Sequence, residues 1–322
     1  MDEANVYEPA ALAEIEAART RIADTVVRTP LVRLEIDAPA EIFLKLENLQ
    51  PIGSFKLRGA GNALELRDPA ELSGGIWTAS AGNMAQAVAW HARRRRVPCT
   101  VVVPDTAPKT KLDAIRRLGA EFVKVPVPIW IEVFRTRTYP GMEGVFLHPF
   151  SDPDVIAGNG TIGVEIVEDL PDVDAVLIPY GGGGLSCGIA SALRELVPAC
   201  NVYACEAETA APLQASLAAG APVEVEHVTS FVDGIGAPTV FPEMFALARN
   251  LLDGSIAVSL AAVADAIRLL VERARVVAEG AGAAAVAAAL SGSAGGRKLV
   301  CVVSGGNIDS STLGAILAGN TP

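Results

Sequence analysis

Gly53-Ser54-Phe55-Lys56-Leu57-Arg58-Gly59-Ala60 places one lysine beside an aromatic ring where a loop runs into a helix. Two distant stretches complement it: Tyr180-Gly181-Gly182-Gly183-Gly184-Leu185 and Val303-Ser304-Gly305-Gly306-Asn307. A lysine amine kept unprotonated forms a Schiff base with an aldehyde. Four glycines running into a helix offer backbone N–H groups to an anion. A hydroxyl suits a neutral ring nitrogen. The three together point to pyridoxal phosphate.

Working outward from these stretches, strands and helices alternate. Apolar periodicity predicts helices over 8–24, 59–66, 83–95, 109–118, 158–169, 185–196, a segment ending at 217, 260–275 and 282–290. It predicts strands over 41–46, 76–79, 99–103, 121–125, 175–179, 201–206 and 298–303. This rhythm implies an α/β fold of two domains, each a mostly parallel twisted sheet flanked by helices, with ligands at the carboxyl ends of the strands. The expected division is a larger domain of 1–53 and 145–322 and a smaller inserted one of 54–144. Residues 126–144 break the rhythm with three prolines, Trp130, Tyr139, Arg135 and Arg137, and read as a domain connection or a specificity element. Residues 291–297 read as an exposed loop, and Arg93 to Arg96 as a solvated helix end.

Composition narrows the function classes. At 322 residues with 51% hydrophobic side chains, the chain has ample apolar content for two cores. A net charge of -11 disfavours nucleic acid and anionic membranes as partners, leaving small molecules. Met1-Asp2-Glu3-Ala4-Asn5 is acidic and unlike a secretory signal. The longest apolar run, 281–290, is about half of the ~20 residues a membrane span needs. Five irregularly spaced cysteines read as reduced thiols of a cytoplasmic protein. Cys187 follows the glycine run, where a helix N-terminus could lower a thiol pKa, but it reads chiefly as a small buried residue beside a cofactor. The scattered His91, His148 and His227 form no zinc or triad signature.

Five motifs occur in order: Ser54 to Ala60, Ser80-Ala81-Gly82-Asn83, Val155-Ile156-Ala157-Gly158-Asn159-Gly160-Thr161, Gly181 to Leu185, and Ser304 to Asn307. From about Thr29 to Ser310 the chain resembles the serine/threonine dehydratase and serine racemase family of fold type II pyridoxal phosphate enzymes. The resemblance implies that Lys56 holds the cofactor aldehyde and, once released, acts as the base at the substrate α-carbon. It implies that Phe55 packs on the pyridine ring, that Asn83 bonds the ring hydroxyl, and that Gly181, Gly182, Gly183, Gly184 and Leu185 bind the phosphate. Ser304 would face the ring nitrogen and leave it neutral, which favours β-elimination over transamination. Without the resemblance, the glycine tetrad also fits a tight turn or a nucleotide loop, and Ser-Gly-Gly a simple turn.

The loop Ser80, Ala81, Gly82, Asn83, Met84 lies where a strand turns into a helix and suits a substrate carboxylate. Met84 stands where most relatives carry histidine and suggests an altered, less polar pocket wall. Ala81 stands where racemases carry a proton-donating serine, so racemisation should be poor or absent. Relatives of the racemase branch hold a divalent cation; here Glu206 and Ala210 are weak candidate ligands, followed by Pro212 in place of the third, and a dedicated site is doubtful. Glu279 matches a family glutamate near the cofactor and equally fits a helix-start acid. The expectation is a catabolic pyridoxal phosphate-dependent dehydratase that takes water from a serine- or threonine-type amino acid and yields a 2-keto acid and ammonia, assembled as a homodimer or homotetramer. The rivals are β-elimination on another β-substituted amino acid, such as hydroxyaspartate, a phenylserine-like compound or a bulkier one, and a cofactor-binding regulatory protein without turnover.

Overall fold

A computed structural model describes residues 7–322. The helices are α1 (Leu12–Ile22), α2 (Lys56–Glu65), α3 (Pro69–Leu72), α4 (Asn83–Arg95), α5 (Lys109–Arg117), α6 (Val127–Thr136), α7 (Pro153–Asp169), α8 (Gly184–Leu196), α9 (Pro212–Ala219), α10 (Pro242–Leu251), α11 (Leu260–Leu269), α12 (Gly280–Leu290) and α13 (Ser310–Leu317). One sheet comprises β1 (Leu31–Arg33), β2 (Glu41–Lys45), β7 (Ala175–Pro179), β8 (Asn201–Ala207), β9 (Gly254–Val258) and β10 (Lys298–Val302), in the order β1-β2-β10-β7-β8-β9. All its pairings are parallel except that of β1 with β2. A second, wholly parallel sheet has the order β5-β4-β3-β6, from β3 (Ile76–Ala79), β4 (Cys99–Pro104), β5 (Glu121–Val125) and β6 (Val145–Phe146). The alternating pattern therefore does make mostly parallel sheets flanked by helices. The last strand of the smaller sheet falls at 145–146, just past the expected boundary at 144.

Central strands carry unbroken apolar runs because helices cover both faces. Ala-Val-Leu-Ile-Pro of β7 and Ile-Trp-Thr-Ala of β3 are buried at every position. The core of the larger sheet lies on its two sides, one beneath the alanine-rich α12 and the other beneath α7, α8 and α10. Glycines let α7 and α8 pack closely: a Cβ on Gly188 would lie 2.4 Å from the Ile156 carbonyl oxygen.

Several boundaries differ from the sequence expectation for local reasons. Helix α7 starts at Pro153 rather than near 158, because the Asp152 carboxylate accepts from Asp154 N at 2.9 Å and Val155 N at 3.2 Å. That cap satisfies free N–H groups and lets the helix run through its own glycines. Residues 126–144 contain α6, whose Pro126 and Pro128 mark its start, and Trp130 Nε1 fastens it to the Val102 carbonyl at 3.2 Å. The predicted 260–275 helix is α11 continued by a π-helical turn over 270–274. Short β1, β9, α10 and α13 escaped the periodicity reading. Among the described residues no helix is long and apolar enough to cross a membrane. The acidic stretch Met1 to Asn5 lies outside the described residues.

Candidate active site

Lys56 opens α2, and its position is set by a buried charge cluster centred two residues on, at Arg58. Arg58, 1% exposed, binds Glu47 at 2.8 and 2.9 Å and Glu165 at 2.7 and 2.9 Å. Lys45 Nζ also donates to Glu165 at 2.6 Å, and Thr29 Oγ1 to Glu47 at 2.6 Å. Two cations thus meet two carboxylates from β2, the turn after it and α7, so α2 is clamped to the larger sheet. The loop before it is stitched to the 303–307 stretch: Phe55 N donates to the Ser304 carbonyl at 3.0 Å and Gly306 N to the Gly53 carbonyl at 2.9 Å.

Lys56 Nζ donates to the Pro149 carbonyl at 2.5 Å and lies 5.0 Å from the Phe55 ring centre. It forms no ion pair among the described residues. Burial without a counter-charge pulls its pKa down to about 8. The next residue, Phe150, carries the wall on to the glycine loop. A Cβ on Gly182 would fall 2.1 Å from the Phe150 ring, and one on Gly184 would fall 2.7 Å from the Phe150 carbonyl oxygen. Gly183 has φ +89 and caps α8 with no side-chain hydrogen bond. The first N–H groups of α8 therefore point outward beside the positive end of its dipole. Leu185, 5% exposed, anchors the turn in the core.

Asn83, the first residue of α4, crosses from the smaller sheet to the larger. Its Nδ2 donates to Glu279 Oε1 at 2.7 Å, and Asn307 Nδ2 donates to its Oδ1 at 2.7 Å. Burial raises the Glu279 carboxyl to about 7 against the opposing Asn83 hydrogen bond. Ser304 is 3% exposed, behind Phe55. Ser80, Ala81 and Gly82 lie half-buried at the carboxyl end of β3, where Gly82 N donates to Ser80 Oγ at 3.2 Å. The structure thus brings Lys56, Phe55, Asn83, the glycine loop, Ser304 and the 80–83 loop to neighbouring strand ends.

Burial and partners place three further residues. Met84, read from the sequence as an altered pocket wall, is 1% exposed and packs in the core around α4. Burial pushes the Cys187 thiol up to about 12, in keeping with a small buried residue. The Glu206 carboxylate is engaged by the backbone N–H groups of Leu213 and Gln214 at 2.9 and 2.8 Å and by Ser255 Oγ at 2.6 Å. It caps α9, and Ala210 closes the adjoining turn onto Ala207. Pro149, Phe150 and Asn307 join the site through a carbonyl, a ring packed against glycines and a surface amide. The motif spacing carried no signal for the first two.

An amine near neutrality, an uncapped helix start floored by glycine and a buried hydroxyl fit pyridoxal phosphate: a Cβ at Gly182 would drive the loop off Phe150. Fold and site together define an enzyme of the aldehyde-cofactor α/β class. The family model of the pyridoxal-phosphate dependent enzymes matches residues 22–305, and the chain belongs to that family. It is 41% identical over 312 residues to an L-threonine ammonia-lyase of Thermotoga maritima, covering 95% of this chain and 78% of that one. It is 38% identical to the catabolic L-threonine dehydratase of Escherichia coli over 96% of both chains. The structure of maize serine racemase superposes with a TM-score of 0.89 at 32% identity, covering 97% of this chain and 98% of that one.

Proposed function

We propose that the chain is a dehydratase that converts L-threonine, and L-serine by the same route, to the 2-keto acid and ammonia. It is a pyridoxal-phosphate-dependent ammonia-lyase acting on a β-hydroxy amino acid, and the threonine-type substrate is our finer reading. The observation that carries it is the Lys56 amine, lowered to about 8 and held by a carbonyl alone. When bound, the cofactor draws electrons from the α-carbon and lowers the barrier to losing its proton. Lys56 takes that proton, because a base with a pKa near the working pH is populated and still strong enough. The Cβ–O bond breaks, its electron pair leaves with the hydroxyl oxygen, and that oxygen gains a proton equivalent to the one Lys56 removed, so that water departs. The 2-aminoacrylate type of product then hydrolyses to keto acid and ammonium.

The chain's other groups orient and exclude. The Gly181 to Leu185 turn receives the phosphate, the 80–83 backbone receives the substrate carboxylate, and Phe55 packs on the ring. Ser304 would offer the ring nitrogen a neutral hydroxyl, and Asn83 would hold the ring hydroxyl. Ala81 offers no proton to the opposite face, which keeps the outcome elimination rather than racemisation. The unit of the smaller sheet, about 54–144, closes over the substrate by way of the 80–83 loop. A homodimer or homotetramer in the cytoplasm is our reading of the assembly and its place, and the five buried free thiols support the latter.

The test is the visible spectrum of the purified protein with its cofactor, followed while L- and D-β-hydroxy amino acids are added and keto acid is assayed. L-Threonine should yield keto acid. Lys56→Ala should lose the lysine-bound absorption and lower turnover by roughly 10²–10⁴-fold or more. Product from a different β-substituted amino acid and none from threonine or serine would overturn the substrate assignment.

A further inference from the structure

An asparagine side chain can present either an oxygen or an N–H to its neighbours, and the groups around Asn83 decide which. Asn307 Nδ2 donates to the Ile52 carbonyl at 2.9 Å. A backbone carbonyl only accepts, so this bond fixes which way the Asn307 amide faces. The other N–H of Asn307 Nδ2 then donates to Asn83 Oδ1 at 2.7 Å, which turns Asn83 Nδ2 onto Glu279 Oε1, also at 2.7 Å. Polarity thus passes from a main-chain carbonyl through two amides to a carboxyl. Glu279 alone would not set it. With its carboxyl raised to about 7, Glu279 can donate as well as accept, and either end of Asn83 would suit it.

Two glycines of the flanking motifs leave room for this relay. A Cβ on Gly53, whose φ is +72, would fall 2.9 Å from Asn307 Oδ1. One on Gly305 would fall 2.5 Å from Glu279 Oε1 and 3.2 Å from Asn83 Nδ2. Backbone bonds hold the same pieces together: Gly306 N donates to the Gly53 carbonyl at 2.9 Å, and Glu279 N to the Gly305 carbonyl at 3.0 Å. The relay therefore ties the loop before Lys56, the stretch after Ser304, the start of α4 and the N-cap of α12. It spends one N–H of Asn83 Nδ2 on Glu279 and leaves the other free among the described residues.

We propose that Asn307 and Glu279 are positioning residues that hold Asn83 as a hydrogen-bond donor to the ring oxygen of the cofactor, with the Ile52 carbonyl setting the direction. This rests on the reading that Asn83 holds that oxygen. A donor there favours the form in which the ring oxygen carries no proton and the Lys56 nitrogen of the linkage carries one. An acceptor there would keep the proton on the oxygen. One proton changes place between two atoms, and no other bond is altered. The form with the proton on nitrogen makes the linkage carbon the better electrophile for an incoming amine.

The experiment is the visible spectrum of the cofactor-loaded enzyme without substrate, where the form protonated on nitrogen absorbs at the longer wavelength. Asn307→Asp places oxygens against the Ile52 carbonyl and Asn83 Oδ1 and so favours the reversed amide. The ratio of the long- to the short-wavelength band should fall by roughly 5-fold or more, the net worth of about one hydrogen bond. Asn307→Leu, which removes the relay without adding charge, should lower the ratio too. Glu279→Leu should act in the same direction, and Glu279→Gln, which still accepts from Asn83, should restore the native ratio. Loss of structure alone would lower the urea midpoint and leave the ratio of the bound cofactor's bands in place; Asn307 is exposed, and its variants should unfold as the native protein does. A fall in Asn83→Ala with no change in Asn307→Leu and Glu279→Leu would overturn the relay and keep Asn83 on the ring. A fall in Asn307→Asp alone would assign the effect to its charge and overturn the relay as well. No change in Asn83→Ala would overturn both the relay and the role given to Asn83. Because no substrate is added, the outcome is independent of whether threonine is turned over.

Discussion

Lys56 and Glu279 respond to pH in opposite directions for the same reason, since burial penalises the charged form of each. Lys56 falls from 10.5 to about 8, so between those values the unfolded chain binds more protons and stability rises with pH. Glu279 rises from 4.5 to about 7, so between those values the folded chain binds more protons and stability falls as pH rises. Glu279 should therefore withdraw stability between about pH 4.5 and 7, while the lowered His91 and His148 add it over much of the same range, so its contribution is read as the difference in urea unfolding across pH between the cofactor-free protein and Glu279→Gln, which still accepts from Asn83. A slope unchanged by that substitution would show that Glu279 does not hold the proton. The pairing of Lys56 with a glycine cradle was legible in the motifs. Its carbonyl partner was not, because Pro149 contributes only backbone, and every residue has that.

Element boundaries were legible where one helix or strand face meets one core, and illegible where a distant group decided them. Helix α9 shows the second case. Glu206 on β8 supplies its N-terminal acceptor from seven residues away, a bond that spacing cannot announce. With its oxygens used on Leu213 N, Gln214 N and Ser255 Oγ, this carboxylate is a cap rather than the nucleus of a cation site. Turnover should accordingly be the same before and after exhaustive chelation, and a loss restored by Mg2+ would overturn that reading. Glu206→Ala should cost about 1–2 kcal/mol in urea unfolding through the lost cap. Pro126 and Pro128 misled in the opposite sense, because they stand at the cap and in the opening turn of α6, where the helix needs no donor.

At the scale of the molecule, the unit of the smaller sheet joins the larger one through α2 and through polar side chains spread along its edge. Asn83 reaches Glu279 and Asn307 from α4, and Lys111 on α5 reaches Asp233 at 2.6 Å from the other side of the cleft. The Lys111 pair is exposed and contributes little to stability. The Arg58 cluster is of a different kind. Removing one member strands buried charges, so Arg58→Ala should destabilise the fold by roughly 3–5 kcal/mol, measured by urea unfolding at pH 7. A cost under about 1 kcal/mol would mean that water reaches the cluster. Sequence by itself determined the class of fold and the identity of the lysine, the glycine turn and the hydroxyl, because apolar periodicity and turn chemistry are local properties of the chain. Only the tertiary structure decided that Met84 and Cys187 belong to the core, that Glu206 is a cap, and that Lys56 titrates near 8. Burial and partner choice are set by residues up to more than two hundred positions apart, and no local pattern encodes which of them will meet.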